Sequence, residues 1–367
     1  MGYFWGLAKN IDKILLLLPL ALAAISITMI ASITYDGESF INRFTVVQAA
    51  AYVIGYAALA AALLIDYKFF ERYEKLFYAL SLLFLLSVYT PLGVENYSSR
   101  AWISLGVTTM QPSELVKVSF VLVFANFLSR NRESLISLKG VALSVLYAAP
   151  FLAIIMKEDF GSGLVLAVMC TGMVFYAGID GKMFGRFAVL ALVAAPVLYR
   201  LMAGYQKTRI DAFLHPDNLG LEAAWQVYQS RIAIGSGGLF GKGLFSGTQK
   251  ELDFLPIQES DFIFAVTVEE LGMIGGAALI LIYLIFLTRI WRSSARAKDM
   301  YGALISVGIL CMFAFHVFEN IGMNMGLMPV TGIPLPLVSA GGTAVVANMI
   351  AIGFVLNVGI RNKAINF

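Results

Sequence analysis

Long apolar runs separated by short polar connections dominate the chain. Ile14 to Ile33, Val46 to Ile65 and Phe262 to Thr288 each continue for eighteen or more residues almost without charge. At a helical rise of about 1.5 Å per residue, roughly twenty residues cross a hydrocarbon core of about 30 Å. Ten such segments are predicted, at residues 14–33, 46–65, 76–92, 113–129, 140–156, 161–178, 184–204, 262–288, 301–320 and 343–360. The pattern predicts an all-α polytopic membrane protein with about ten transmembrane helices.

Composition supports this class and narrows the organisation. With 59% hydrophobic and 13% charged residues, the 367-residue chain is excluded from the ordinary soluble proteins. Cys170 and Cys311 fall within predicted helices, so neither a disulfide framework nor a thiolate metal site is expected. The first apolar run is longer than that of a signal peptide and no cleavage site follows it, which favours a retained anchor. We expect one transmembrane domain over residues 1–367.

The basic residues give the orientation. Alternate connections hold 16 of the 26 lysines and arginines, including Lys9 and Lys13 before the first segment and Arg361 and Lys363 after the last. The positive-inside rule places these connections, and therefore both termini, in the cytoplasm. The net charge of +3 is spread over many short loops and does not indicate a nucleic-acid surface.

One outward connection is long. Residues 205–261, between the seventh and eighth predicted helices, form an extracytoplasmic loop whose length points to function, because most connections are far shorter. Trp225, Tyr228 and Phe240 predict that it is partly packed. Its glycine-rich run from Ile234 to Gly243 is consistent either with a flexible turn or with backbone N–H groups that approach an anionic substrate.

Asp261 ends this loop, directly before an apolar helix. A carboxylate at such a position is favoured by helix capping and by the helix dipole, which would be a purely structural role. At the outer membrane boundary it is also well placed to accept a proton from a hydroxyl of a lipid-linked substrate. Both interpretations are open from the residues alone.

Charged residues inside predicted helices need partners or a cavity, since burying a charge in the bilayer is costly. Glu114 and Lys117 share a helix face and form either a structural pair or part of a site. His316 and Glu319 are a second pair with the same spacing. For Glu269 and His316, a satisfied structural network is the favoured interpretation.

The last outward segment, from Met328 to Thr343, contains three prolines and three glycines and almost no charge. Irregular backbone can lie at membrane depth only where protein or a cavity satisfies its polar groups. A re-entrant loop is therefore favoured over a plain turn.

At these residues the chain resembles the SEDS family (shape, elongation, division and sporulation proteins), and within it the RodA-like members. The resemblance covers nearly the whole chain. It is carried by QPSELVK at Gln111 to Lys117, KEDFGSG at Lys157 to Gly163, WQVYQSRIAIGSGGLFGKG at Trp225 to Gly243, FLPIQESDFIFAVTVEELG at Phe254 to Gly272 and TGIPLPLVSAGG at Thr331 to Gly342.

The resemblance implies a peptidoglycan glycosyltransferase of a bacterial cytoplasmic (inner) membrane, with its active site facing outward. Its substrate would be lipid II, the undecaprenyl-diphosphate-linked disaccharide-pentapeptide, which it would join into β-1,4-linked strands for cell elongation and rod shape. Its partners would be a class B penicillin-binding protein and other elongation or division machinery. Asp261 matches the family's proposed catalytic residue. Motif matches add candidate substrate or diphosphate ligands: Glu114, Lys117, Asp159, Gln229, Ser230, Arg231, Ser339, Gly341 and Gly342.

Departure of a diphosphate needs positive charge or a metal ion, because negative charge develops on it. Lys117 and Arg231 are candidates, and a divalent cation such as Mg²⁺ or Mn²⁺ is left open. Two other functions remain as alternatives. A lipid II flippase would favour a midplane site in paired repeats, and a noncatalytic scaffold of a transpeptidase complex would not require Asp261.

Overall fold

The computed structural model describes residues 11–361, apart from residues 36, 38, 97–98, 105, 107, 184, 187–188, 190–192, 194–195, 197–198, 201 and 249–254. In this part of the chain, eight helices are long and apolar enough to cross a membrane. They are α1 (Lys13–Ile33), α2 (Arg43–Leu64), α5 (Pro112–Arg130), α6 (Leu138–Glu158), α7 (Phe160–Ala177), α10 (Ile263–Ala295), α11 (Met300–Asn324) and α12 (Gly342–Arg361). Helices α5, α11 and α12 are the most buried and form the centre of the bundle.

Four shorter helices complete the described set: α3 (Tyr67–Arg72), α4 (Glu74–Leu86), α8 (Gly204–Leu214) and α9 (Glu222–Ser236). The predicted multi-pass helical architecture is confirmed. The third predicted segment, 76–92, corresponds to α4 and a 3-10 turn at Ser87–Tyr89. The seventh, 184–204, lies largely outside the described residues, so the total of ten helices stays a prediction.

A small antiparallel sheet corrects the expectation that all regular structure is helical. Strands β1 (Gly93–Asn96), β2 (Ser99–Ser104) and β3 (Thr109–Met110) pair in the order β1-β2-β3 between α4 and α5. The preceding helix ends early because the chain reaches Pro91 and Gly93, and a Cβ at Gly93 would lie 1.8 Å from the Val88 carbonyl oxygen. The sheet brings Trp102 to the end of the bundle that is predicted to face outward.

The long loop before α10 is partly packed, as predicted, but not through the aromatic residues on which the prediction rested. Trp225, Tyr228 and Phe240 are all exposed. Helices α8 and α9 lie within the loop. A second, smaller core joins α9 to the bundle, and its buried members are Ala233, Leu255, Phe262, Ala265, Met323 and Val330.

The glycine-rich run after α9 docks onto a break in α10. Helix α10 is interrupted at Gly272, whose φ is 71°. The N–H groups of Lys242 and Gly243 donate to the carbonyls of Glu269 and Glu270, both at 3.0 Å. These two N–H groups cap the first half of the broken helix, so the run is attached to α10 and is not a free turn. An approach of its other N–H groups to an anionic substrate stays a prediction.

The segment between α11 and α12 is buried among helices, as the re-entrant interpretation requires. Its carbonyl groups accept hydrogen bonds from side chains of three helices. The pairs are Ser26 with Val338 at 2.7 Å, Gln48 with Ser339 at 3.1 Å, Tyr283 with Pro336 at 2.6 Å, and Tyr52 with Leu337. Irregular backbone at this depth is therefore satisfied by protein.

Candidate active site

A cavity of about 660 Å³ lies at the end of the bundle that is predicted to face outward. Its walls come from β2, the junction of α6 and α7, helix α8, the start of α9, the residues before α10 and the re-entrant segment. The polar side chains and backbone positions that matter below are Gln111, Asp159, Arg209, Ser260, Asp261, Thr331 and Gly332. Together with Gln111, which directly precedes α5, seven parts of the chain therefore meet at one site.

Asp261 is held in this cavity by its backbone. Its carbonyl accepts hydrogen bonds from Asn320 Nδ2 at 3.0 Å and Asn324 Nδ2 at 2.9 Å, both on α11. The N-cap residue of α10 is Phe262, whose side chain makes no capping hydrogen bond. Asn324 Oδ1 supplies that cap from the neighbouring helix by accepting the Ala265 N–H at 3.1 Å. The capping role considered for the Asp261 side chain is therefore excluded, and its carboxylate is available to the cavity.

The electrostatic surroundings of the Asp261 carboxylate set its proton affinity. Burial raises its pKa from 3.8 to about 6, because desolvation disfavours the charged form. The Ser260 hydroxyl, 3.0 Å from Oδ1, and the Arg209 guanidinium act in the opposite direction and lower the pKa. Near neutral pH the group is mostly ionised but still basic enough to take up a proton.

Arg209 is the functional candidate that the sequence did not reveal. It lies on α8, outside every motif, and its Nη1 donates to the Thr331 carbonyl at 2.7 Å. A Cβ built on Gly332 would lie 3.4 Å from Asp261 Oδ2 and 3.5 Å from Arg209 Nη1. The Asp261 carboxylate and the Arg209 guanidinium therefore both lie next to Gly332. The only signal in the sequence is a basic residue in the long outward loop.

Asp159 lines the same cavity, but its carboxylate is already engaged. It caps α7 by accepting the Ser162 N–H at 3.1 Å and the Ser162 hydroxyl at 2.7 Å, and it accepts from Gln111 Nε2 at 2.9 Å. These bonds join α5 to α7. The predicted ligand role of Asp159 stays a prediction, beside this clear structural role.

Behind the cavity wall, the predicted pairing of His316 with Glu319 is wrong. Glu319 is fully buried and accepts a hydrogen bond from the Thr331 hydroxyl. His316 instead lies 3.2 Å from Lys117 Nζ. The two residues share a helix face but do not contact each other through hydrogen bonds. His316 pairs with Lys117 on α5, and Glu319 pairs with Thr331 of the re-entrant segment.

Lys117 and Glu114 form the buried ion pair expected from their spacing, with Nζ and Oε1 2.7 Å apart. Both are at least 94% buried within the bundle. Neither residue lines the cavity. Gln111, which directly precedes α5, does line it. Lys117 is thus neutralised inside the helices, away from Asp261.

Three predicted ligands lie on α9 and are separated by the turn of the helix. Ser230 is fully buried and donates to the Asn324 carbonyl at 2.9 Å, and Gln229 is also buried. Arg231 lines an adjoining cavity of about 450 Å³, which shares Arg209 with the first. Of the three residues, Arg231 is the one that lines either of these two cavities.

The last predicted site residues, Ser339, Gly341 and Gly342, belong to the Thr331 to Gly342 motif and lie outside the cavity. The Ser339 hydroxyl donates to the Ser260 carbonyl at 2.5 Å, and the Gly341 N–H donates to Gln48 Oε1 at 3.1 Å. Gly342 begins α12 against α2, where an added Cβ would lie 3.7 Å from Ala51. Ser339 positions Ser260, the residue before Asp261, whereas Gly341 and Gly342 contact α2.

Comparison with known proteins agrees with this architecture. The sequence profile of the FtsW, RodA and SpoVE family, described as cell cycle proteins, matches residues 10–364. Peptidoglycan glycosyltransferase MrdB of Escherichia coli is 33% identical over 366 residues, covering 99% of this chain and 97% of its own. Stage V sporulation protein E of Bacillus subtilis is 34% identical over 360 residues, covering 95% and 96%.

Solved structures give the same result. A chain from a structure described as the structural coordination of polymerization and crosslinking by a peptidoglycan synthase complex matches with a TM-score of 0.78, 25% identity, and coverage of 96% of this chain and 98% of that one. The rod shape determining protein RodA of Thermus thermophilus matches with a TM-score of 0.71, 25% identity, and coverage of 95% and 96%. The chain therefore belongs to the FtsW, RodA and SpoVE family of cell cycle proteins.

Proposed function

We propose that this protein is a peptidoglycan glycosyltransferase that polymerises lipid II into β-1,4-linked glycan strands. The observation that carries the proposal is the placement of Asp261 opposite Arg209 in one cavity at the end of a membrane-spanning bundle. The relatives named peptidoglycan glycosyltransferases support it. A base and a cation on opposite sides of a cavity are what transfer of a sugar from a diphosphate requires.

In this mechanism Asp261 is the general base. Its carboxylate takes the proton of the acceptor 4-hydroxyl while that oxygen forms a bond to the anomeric carbon of the second sugar. The bond from that carbon to the diphosphate breaks on the opposite face, and the configuration inverts. Because Asn320 and Asn324 hold the Asp261 carbonyl, the carboxylate is presented from a fixed backbone.

Arg209 is the proposed cation for the leaving diphosphate. Of the three basic residues considered, Lys117 is paired inside the bundle and Arg231 lines the adjoining cavity, whereas Arg209 lines both cavities. Its planar fork of donors suits phosphate oxygens. Arg209 therefore joins the sequence candidates as the residue best placed to stabilise the developing negative charge.

A divalent cation would depend on the substrate for most of its ligands. Within the described ranges, no group of three or more His, Cys, Asp or Glu side chains could hold a metal ion. Mg²⁺ in phosphate sites takes one or two carboxylates and completes its shell with phosphate oxygens and water. Such an ion would add positive charge at the diphosphate, beside Arg209.

The proposal extends to location and partner. The basic loops support an inner membrane orientation with the cavity outward and both termini inside. The whole chain, residues 1–367, would act as one transmembrane domain. A class B penicillin-binding protein would crosslink the product, consistent with a neighbour solved in a complex for polymerization and crosslinking.

The test is a polymerisation assay with purified protein and labelled lipid II, with products separated on a gel. Asp261→Asn should abolish polymer, whereas Asp217→Asn, which alters a carboxylate of the adjoining cavity, should retain it. Polymer from Asp261→Asn would overturn the role of Asp261. An inactive parent, with the transpeptidase present and lipid II flipping in proteoliposomes, would favour the flippase.

A further inference from the structure

The glycine-rich run ends in an apolar tip that no part of the proposed reaction uses. Leu239 and Phe240 form this tip, with 55% and 80% of their surfaces exposed. In water, two adjacent large apolar side chains at such exposure would be unfavourable. Their surroundings therefore need to be identified from their depth relative to the bilayer.

Helix α1 provides one measure of depth. The ion pair between Asp12 and Arg289, at 3.4 Å, marks the end of the bundle predicted to face the cytoplasm. Ser32 lies twenty residues further along α1, which is about 30 Å at 1.5 Å per residue. That distance equals the thickness of the hydrocarbon core, so Ser32 marks its outer edge.

Helix α10 gives the same depth independently. Ser32 Oγ donates to Glu270 at 2.6 Å, so the two residues are at one level. Met273, the first residue after the break at Gly272, is sixteen residues from Arg289, which is about 24 Å along the unbroken part of α10. Residues of α10 from Met273 to Arg289 therefore fit within the hydrocarbon thickness of about 30 Å.

Backbone hydrogen bonds fix the tip below this edge. The Met273 N–H donates to the Gly238 carbonyl at 2.9 Å, and the Ile274 N–H donates to the Leu239 carbonyl at 3.3 Å. Met273 lies about 24 Å from Arg289 along α10, which is roughly 6 Å inside the outer edge of a core about 30 Å thick. The chain then returns outward, since an added Cβ at Gly241 would lie 2.1 Å from the Glu270 carbonyl oxygen.

The tip is also continuous with the lipid-facing side of α10. Met273 and Ile274 are 58% and 55% exposed, and this apolar face continues towards the cytoplasm through Leu281, Leu284 and Trp291. The nearby charge, Lys242, is paired with Glu269 at 2.7 Å. The surface around the tip is therefore apolar with its charge neutralised, as contact with acyl chains requires.

We propose that Leu239 and Phe240 form a wedge inserted among the acyl chains of the outer leaflet. The wedge holds the end of α9 at a fixed depth. Because α9 carries Ser230, which binds Asn324, and Asn324 binds the Asp261 carbonyl, the bilayer surface becomes a reference for the height of the cavity. This inference concerns position in the membrane and is independent of the proposed reaction.

Depth measured by electron paramagnetic resonance tests the wedge. In a background with Cys170→Ala and Cys311→Ala, a nitroxide is attached to Phe240→Cys, and the protein is placed in phosphatidylethanolamine and phosphatidylglycerol nanodiscs. Leu281→Cys is the control for lipid, and Leu219→Cys, in the exposed turn before α9, is the control for water.

The wedge predicts that the label at position 240 relaxes faster with oxygen than with the water-soluble nickel complex, as at position 281. A response like that at position 219 would overturn the proposal and leave the tip to a protein partner. Labels at exposed positions do not disturb the core, and equal thermal unfolding midpoints would confirm that the variants are folded. The readout needs no activity, so it can fail while the proposed function stands.

Discussion

Replacing Arg209 with glutamine should move the pH dependence of the reaction. With its pKa at about 6, Asp261 is the ionised base above pH 6 and loses activity as the pH falls through that value. Arg209 lowers this pKa. Removing the charge of Arg209 makes the ionised form of the Asp261 carboxylate less favourable. The pKa of Asp261 therefore rises, and the acid limb of the pH–rate profile moves to higher pH.

The size of this change follows from the geometry. Both groups contact the space over Gly332, at 3.4 and 3.5 Å, so Asp261 Oδ2 and Arg209 Nη1 are no more than about 6.9 Å apart. At that distance the attraction is about 2.4 kcal/mol for an effective dielectric constant of 20 and about 0.6 kcal/mol in water. At 1.36 kcal/mol per pH unit, the limb should rise by about 0.4 to 1.8 units.

The assay is the pH profile of kcat/KM for lipid II polymerisation, which reports ionisation in the uncomplexed enzyme. Arg231→Gln is the matched control, since it removes the same charge from the adjoining cavity. We expect its acid limb to stay close to that of the parent. An unchanged limb in Arg209→Gln, or equal movement in both variants, would refute the assignment of Arg209 to the electrostatic field of Asp261.

Three further results are expected. Asp261→Asn should stabilise the fold at pH 7.5 by up to about 3 kcal/mol, because the raised pKa means that ionisation of Asp261 costs stability. This cost builds up between about pH 4 and pH 6 and is complete above pH 6, so thermal midpoints at pH 7.5 and 4 should show the advantage mostly disappearing in acid. Asn324→Ala should cost about 2 to 4 kcal/mol by leaving the Ala265 N–H unpaired, and Asn320→Ala, which orphans no N–H, about 1 kcal/mol in the same melts. Gly332→Ala should lower polymer yield at least tenfold in the gel assay, because the added methyl group would occupy the space beside the Asp261 carboxylate. The protein should stay folded, since the left-handed φ of 76° at this position costs a non-glycine residue only about 1–2 kcal/mol.

The bundle could be predicted because membrane-spanning helices follow from local properties of the chain. Runs of apolar residues and flanking basic residues located the eight described spans to within four residues at each end, except that α10 continues to Ala295, seven residues beyond its predicted end. The sheet at β1–β3 was missed because its strands are short and lack an apolar alternation. The break at Gly272 was missed because its cause, the glycine-rich run, lies some thirty residues earlier in the chain.

The site was only partly predictable, for a similar reason. Asp261 stood out by its position at a helix start, and the spacing of Glu114 and Lys117 gave their ion pair correctly. Arg209 could not be found this way, because its relation to Asp261 exists only when α8 folds over the re-entrant segment. The pairing of His316 with Glu319 failed because helical spacing says which residues share a face but not which neighbour meets each one.

The fixing of Asp261 by its backbone explains why the site needs so much buried polar structure. A base in a wet cavity would lose its raised pKa, whereas a fully enclosed carboxylate could not reach a substrate. Here the main chain is immobilised by Asn320, Asn324 and, through Ser260, by Ser339, while one carboxylate oxygen, Oδ2, faces Gly332 and the cavity. The donors come from α11 and from the re-entrant segment, which is itself held by α1, α2 and α10. The buried, irregular backbone of the re-entrant segment thus allows the helical bundle to hold the Asp261 carboxylate at the cavity with a raised pKa.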